Sequence, residues 1–127
     1  MQFPKELKYT KDHEWAKILG NTVVVGITEH AQSALGDIVF VDLPKPGREL
    51  KKGEVFGVVE SIKAVSELYA PVAGKVLEVN SELANEPAKM NQDPHGDGWI
   101  LKMECNDDAS KSGLLSSDDY QKLVEAL

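Results

Sequence analysis

Lys63 is the side chain whose type and setting most directly offer chemistry, because it stands within Glu60-Ser61-Ile62-Lys63-Ala64-Val65-Ser66-Glu67, between two segments that read as strands. A primary amine held there is a handle presented to solvent. The other reactive residues form no competing constellation. His13, His30 and His95 are scattered without metal-ligand spacing, and none is near a serine or cysteine nucleophile in a known catalytic order. Cys105 is the only cysteine, so no internal disulfide can form; its acidic neighbours Glu104, Asp107 and Asp108 offer a thiolate no cation, and it reads as inert. The glycines form no phosphate-binding pattern between a strand and a long helix.

The elements around the lysine explain how it is held out. Gly53 to Glu60 is rich in Val and Phe, and Val65 to Ala70 alternates apolar and polar residues until Pro71 interrupts it. With so few residues between them, the two runs predict a tight hairpin, Val55–Glu60 with Val65–Tyr69, and Lys63 at or beside its tip. A tip chosen for turn formation alone would normally hold Gly, Asn or Asp, and Ile62-Lys63-Ala64 holds none.

Elsewhere, Glu14–Leu19 and Thr22–Ile27 read as strands joined by the turn Gly20-Asn21, Thr28 as the N-cap of a short helix Glu29–Leu35, and Asp37–Leu43 as the next strand. Pro44-Lys45-Pro46-Gly47 forces a turn, which by itself accounts for Gly47. Lys75–Asn80 reads as a strand, Ser81–Glu86 as one or two helical turns stopped by Pro87, Met90–Gly98 as loop, and Trp99–Glu104 as a closing strand. Ser116 or Ser117 then caps a helix with Tyr120, Leu123, Val124 and Leu127 on its apolar face, and Asp118-Asp119 in its first turn suit the helix dipole. Trp15 and Trp99 read as core or cleft-wall aromatics. Many short strands with frequent turns predict a mainly β fold, a sandwich or flattened barrel of two small antiparallel sheets with short helices and a C-terminal helix. Leu43–Lys52 and Ala70–Asn80 also echo one another, each with a proline, a glycine and a strand.

Gly57-Val58-Val59-Glu60-Ser61-Ile62-Lys63-Ala64, followed by Ser66, Tyr69, Pro71, Val72 and Gly74, resembles the lipoylation hairpin of the glycine cleavage system H proteins. Tyr9-Thr10-Lys11-Asp12-His13-Glu14-Trp15, Val25-Gly26-Ile27-Thr28, Ala31-Gln32, Leu35 to Val41, Leu43-Pro44 and Gly98-Trp99 resemble the same family at its spacing, so the likeness covers essentially the whole chain. The resemblance implies the lipoyl/biotinyl architecture, two small sheets related by a pseudo-two-fold with the modified lysine at a hairpin. It implies lipoic acid held as an amide on Lys63 and a carrier, not an enzyme. Such a carrier takes the aminomethyl group of glycine from a pyridoxal-phosphate glycine decarboxylase (P protein) to a tetrahydrofolate-dependent aminomethyltransferase (T protein). A flavin dihydrolipoamide dehydrogenase (L protein) then reoxidises it. By position, the resemblance places Glu14, Asp12 and Glu67 in the cleft that shields the loaded arm. Glu14 matches the family pattern, while Asp12 and Glu67 stand where Ser and Asp are expected. Glu60 and Gly47 fall at positions that matter for recognition by lipoyl- or octanoyl-attaching enzymes.

Composition agrees with a single unit over residues 1–127, since a domain of this size buries roughly two-thirds of its unfolded surface. A net charge of −7 argues against nonspecific nucleic-acid binding, and no apolar run approaches the roughly 18 residues that cross a membrane. The N-terminus carries neither a secretion-signal core nor the Arg and Ser richness of a transit peptide, so the expected setting is the bacterial cytoplasm, or the mitochondrial matrix for a processed form. A carrier serving several enzymes is expected to be a small monomer. Ile62-Lys63-Ala64 differs from the Met-Lys-Met of biotin carriers and from the Asp-Lys-Ala usual in 2-oxoacid dehydrogenase lipoyl domains. An H-like protein that only relays octanoyl or lipoyl groups to other proteins would need the same lysine.

Overall fold

Nine short strands and four short helices make up the computed structural model, which describes residues 1–127, the side chain of Ser110 excepted. The strands are β1 Lys8–Tyr9, β2 Glu14–Leu19, β3 Thr22–Ile27, β4 Ile38–Asp42, β5 Glu49–Leu50, β6 Val55–Ser61, β7 Val65–Tyr69, β8 Gly74–Val79 and β9 Leu101–Glu104. The helices are α1 Glu29–Leu35, α2 Lys89–Gln92, α3 Asp108–Lys111 and α4 Ser117–Glu125, with a 3₁₀ turn at Ser81–Ala84. One sheet runs β1-β2-β3-β9-β8-β5 and the other β4-β6-β7, every pair antiparallel. Both sheets keep open edges, so the arrangement is an unclosed sandwich, with six strands in one layer and three in the other.

The inner faces meet in one apolar cluster that includes Val23, Val25, Ile27 and Leu101 from the large sheet and Val41, Phe56, Val59 and Leu68 from the small one. A second cluster, Leu7, Tyr9, Trp15, Val24 and Tyr120, seats α4 on the other side of β1 and β2. There the Tyr9 and Tyr120 rings stack at 4.6 Å. The Tyr120 hydroxyl lies 2.8 Å from His13 Nδ1 and 2.7 Å from Thr28 Oγ1, so the ring that fills the core also satisfies a polar group just before β2 and another at the N-cap of α1.

Local chemistry sets the elements as expected at several points. Thr28 caps α1 by accepting the Ala31 N–H, and Ser116, rather than Ser117, caps α4 by accepting the Asp119 N–H. Ser117 instead donates to the Phe3 carbonyl. The two echoing segments lie side by side, Glu49 opposite Lys75 and Leu50 opposite Gly74. Four expectations change. Met90–Gln92, at the start of the stretch read as loop, belong to α2, because Met90 is fully buried and Pro87, ahead of the Ala88 N-cap, does not interrupt the helix. The strand expected from Trp99 begins at Leu101, and it bridges β3 and β8 in mid-sheet instead of closing an edge. Helix α4 ends at Glu125, leaving Leu127 77 % exposed and off the apolar face. The two-residue strands β1 and β5, and α3, are too short for any periodicity to announce.

Candidate functional site

Lys63 lies in the connection between β6 and β7, where Glu60 pairs with Val65. The Ser61 N–H donates to the Ala64 carbonyl at 2.8 Å, and the Ser61 hydroxyl accepts the N–H groups of Lys63 at 3.3 Å and Ala64 at 3.0 Å. A serine side chain thus supplies the turn, and none of Ile62, Lys63 and Ala64 has a positive φ, which explains why the tip needs no Gly, Asn or Asp. The tip is tied to the body by the Ile62 N–H, which donates to the Asp37 carbonyl at 3.1 Å. That loop is held in turn by Asn91, whose amide accepts the Ile38 N–H at 2.9 Å and donates to the Gly36 carbonyl at 2.7 Å and to Gln32 at 3.0 Å. The exposed Lys63 side chain runs past Gly36: a Cβ there would lie 3.4 Å from Lys63 Cε. Gly36 also has φ +81° and ψ −155°, a conformation essentially reserved for glycine. The amine therefore projects from a braced turn along a bare stretch of backbone.

A second feature lies at the far end of β7. Val65, Glu67 and Tyr69 share its outer face, and Tyr69, about 13 Å beyond Val65 at the usual strand rise, forms part of a cleft of about 330 Å³. Thr10, Asp12 and Glu14 on and before β2 line this cleft, as do Lys52, Pro71, Leu114, Leu115 and Leu123. Glu14 is only 1 % exposed. One of its carboxyl oxygens accepts the Thr10 hydroxyl at 2.9 Å and the other the Tyr69 N–H at 3.0 Å. Thr10 Oγ1 also accepts the N–H groups of Asp12 and Glu14, so this hydroxyl fixes the loop that aims the carboxyl. Burial pushes the Glu14 carboxyl up from 4.5 to about 8, and the two hydrogen bonds only partly oppose it. Among the described residues no cation forms a salt bridge with Glu14. The Lys52 amine, on the same rim, is turned to the Ser112 carbonyl at 2.7 Å. The cleft thus presents a sheltered carboxyl that no cation among the described residues pairs with, its wall apolar at Leu114, Leu115 and Leu123 and its exposed rim carrying Lys11, Asp12 and Lys52.

The site thus has two chemical features, an exposed amine on a braced hairpin and a buried acid on β2 that is hydrogen-bonded to the far end of β7. Residues 7–127 match the family model described as glycine cleavage H-protein. The chain is 54 % identical to the glycine cleavage system H protein of Carboxydothermus hydrogenoformans, over 96 % of this chain and 94 % of that protein. It is 52 % identical to that of Staphylococcus haemolyticus over 98 % of both. The crystal structure of a glycine cleavage system H protein from Mycobacterium marinum superposes with a TM-score of 0.88 at 40 % identity, covering 98 % of this chain and 99 % of that one. The chain belongs to the glycine cleavage H-protein family.

Within that family frame the residues singled out from the sequence fall into three places. Glu14 and Asp12 meet in the cleft, Glu14 at its sheltered end and Asp12 exposed at its rim. Glu67 is exposed on the outer face of β7, between the hairpin and the cleft but not lining it. Glu60 is half-buried on β6, opposite Phe40 and Val65. Gly47 lies in the connection between β4 and β5 with φ +95°, its N–H donating to the Val76 carbonyl of β8 at 2.7 Å, with open space where a side chain would point. Turn geometry therefore accounts for Gly47. Thr10, Ser61 and Asn91 position the site and were not singled out. For Ser61 the signal was available in the sequence: a serine at the start of a hairpin loop that lacks glycine. The actions of Thr10 and Asn91 depend on residues brought together by the fold.

Proposed function

We propose that residues 1–127 act as one lipoyl-carrying unit of the glycine cleavage system, with lipoic acid joined as an amide to Lys63 Nζ. When bound, the lipoyl group supplies a disulfide that is reduced as it accepts the aminomethyl group of glycine and is restored by oxidation. The setting of Lys63 fits that group: the amine is exposed, forms no salt bridge among the described residues, and lies along a glycine that leaves its stem clear. The glycine decarboxylase, the aminomethyltransferase and dihydrolipoamide dehydrogenase are the proposed partners, in the cytoplasm, and Glu60 and Gly47 are the proposed recognition points for the attaching enzyme.

Glu14 is the observation that carries this reading. An aminomethyl group bound through sulfur is a cation at risk of losing ammonia to water, and a carboxylate in an apolar cleft holds an ammonium by a charge-assisted hydrogen bond while excluding water. Thr10 and the Tyr69 N–H orient the carboxylate, Asp12 adds negative charge at the rim, and Glu67 lies on the path between hairpin and cleft. A relay of neutral octanoyl or lipoyl groups has no use for such an acid, which favours the glycine cleavage role over relay alone. The test is a mass and peptide map of protein from lipoate-fed cells together with glycine–bicarbonate exchange by glycine decarboxylase. The expected results are a lipoyl increment on Lys63, its loss in Lys63→Ala, and exchange supported only by the modified protein. A lipoylated protein that supports no exchange would refute the glycine cleavage role. Glu14→Gln should speed ammonia loss from the loaded protein; release at the wild-type rate would remove the shielding role.

A further inference from the structure

Eight large apolar side chains are exposed among the described residues, and four of them lie on the small sheet and the hairpin tip that carry Lys63. Val39 and Phe40 on β4, Ile62 at the tip and Val65 at the start of β7 are 53, 51, 72 and 65 % exposed. Phe40 lies opposite Glu60 and Glu60 opposite Val65, so the three form a row across the small sheet with side chains on one face. Val41 and Val59, the next pair, turn inward to the core. An irregularity between Ile38 and Phe40 leaves both Val39 and Phe40 facing solvent. Single exposed apolar residues are ordinary on a protein surface, whereas a contiguous set marks a contact. Its border is acidic: Asp37, Asp42 and Glu67 are exposed around it and Glu60 stands within it.

Reach decides the occupant. Enzymes that work at the end of a long arm can meet it away from the surface, but the enzyme that loads Lys63 must bring an activated acyl carbon to bonding distance of Nζ itself. It therefore covers whatever flanks the lysine. We propose that Phe40, Ile62 and Val65, with Glu60 at their centre, are the docking face for the acyl-attaching enzyme, whose matching surface is apolar with a basic border. This rests on Lys63 being the attachment site. In the step served, Nζ attacks the carbonyl carbon of a lipoyl or octanoyl adenylate and the N–C bond forms. The C–O bond to phosphate breaks, AMP leaves with the electron pair, and the nitrogen gives up two protons to solvent, one before attack and one after.

The test uses the unmodified full chain with a purified ATP-dependent lipoate–protein ligase, lipoate and ATP, with Lys63 modification followed by intact mass. The Phe40→Ser/Val65→Ser double variant, its fold checked by circular dichroism, should lose about tenfold or more in kcat/KM, carried mainly by KM. Leu77→Ser, also at an exposed apolar position but on β8 of the other sheet, should react like wild type. Once driven to full lipoylation, the double variant should be reduced by dihydrolipoamide dehydrogenase and NADH at the wild-type rate. Ligation at the wild-type rate overturns the docking face and leaves the Lys63 reading standing. An equal loss in the dehydrogenase reaction overturns the choice of occupant, and failure of wild-type Lys63 to be modified overturns the reading beneath both.

Discussion

Replacing Glu14 by Gln should stabilise the protein, and increasingly so as the pH rises. In the folded chain burial holds this carboxyl at about 8 against an ordinary 4.5. Between those values the folded chain keeps a proton that the unfolded chain has lost, so the free energy of unfolding falls by about 1.4 kcal/mol per pH unit. Below 4.5 both states hold the proton and the group contributes nothing; above about 8 both have lost it, and the cost levels off at about 5 kcal/mol. At pH 7 it amounts to about 3 kcal/mol, a large share of the 5–15 kcal/mol typical of a domain. Gln has nearly the size and shape of the neutral acid and its carbonyl can still accept the Tyr69 N–H, so the substitution removes the charge at the cost of rearranging the hydrogen bond to Thr10. Urea titrations of wild type and Glu14→Gln at pH 4 to 9 should give curves that coincide at the acid end and separate through neutrality to a plateau. A difference that stays within about 1 kcal/mol from pH 5 to pH 8 would refute the argument, because the carboxylate would then already be accommodated without a cation. In the proposed role the same cost would favour a cationic guest, since an ammonium entering beside Glu14 would relieve it.

Three further outcomes are expected. Gly57→Ala should cost about 3 kcal/mol in urea unfolding, because its methyl group would lie 2.2 Å from the Asp42 carbonyl oxygen on the neighbouring strand; a loss below about 1 kcal/mol would show that the strands part easily. Ser61→Ala removes the acceptor for the Lys63 and Ala64 N–H groups and should cost about 1 kcal/mol and slow enzymatic lipoylation, whereas unchanged values for both would show that the turn holds without the hydroxyl. His13 and His95 are both held below the ordinary 6.5, chiefly by burial, so the unfolded chain takes up protons that the folded rings refuse. Their contribution to stability is present above 6.5 and declines as the pH falls below it, and NMR titration of either ring at or above 6.5 would contradict their buried placement.

Most elements could be read from short stretches of sequence because their causes are local. The Gly20-Asn21 hairpin, the Thr28 cap and the β6–β7 hairpin each follow from turn chemistry or alternation within a few residues, and the structure has them where they were expected. Elements whose cause lies elsewhere were not legible. Strands β1 and β5 exist because β2 and β8 lie beside them, and α2 because Met90 has a core to enter. Leu127 fits a helical apolar stripe, yet α4 ends before it. The puzzle of a hairpin tip without glycine resolves through the Ser61 hydroxyl, a cause that was local but overlooked.

By itself the sequence determined the handle: Lys63, the two strands that carry it, and a turn that holds its amine outward, all set by dihedral preferences and hydrogen bonds between near neighbours. What only the tertiary structure decided is the cleft at the far end of β7. Thr10 and Glu14 come from the N-terminal hairpin, Tyr69 from the central one and Leu114, Leu115 and Leu123 from the C-terminal segment. No local pattern can specify that meeting, because it depends on how both sheets and α4 pack. The charge of Glu14 follows from the same packing: the residue type offers a carboxyl, and removal of water from around it decides at what pH it ionises.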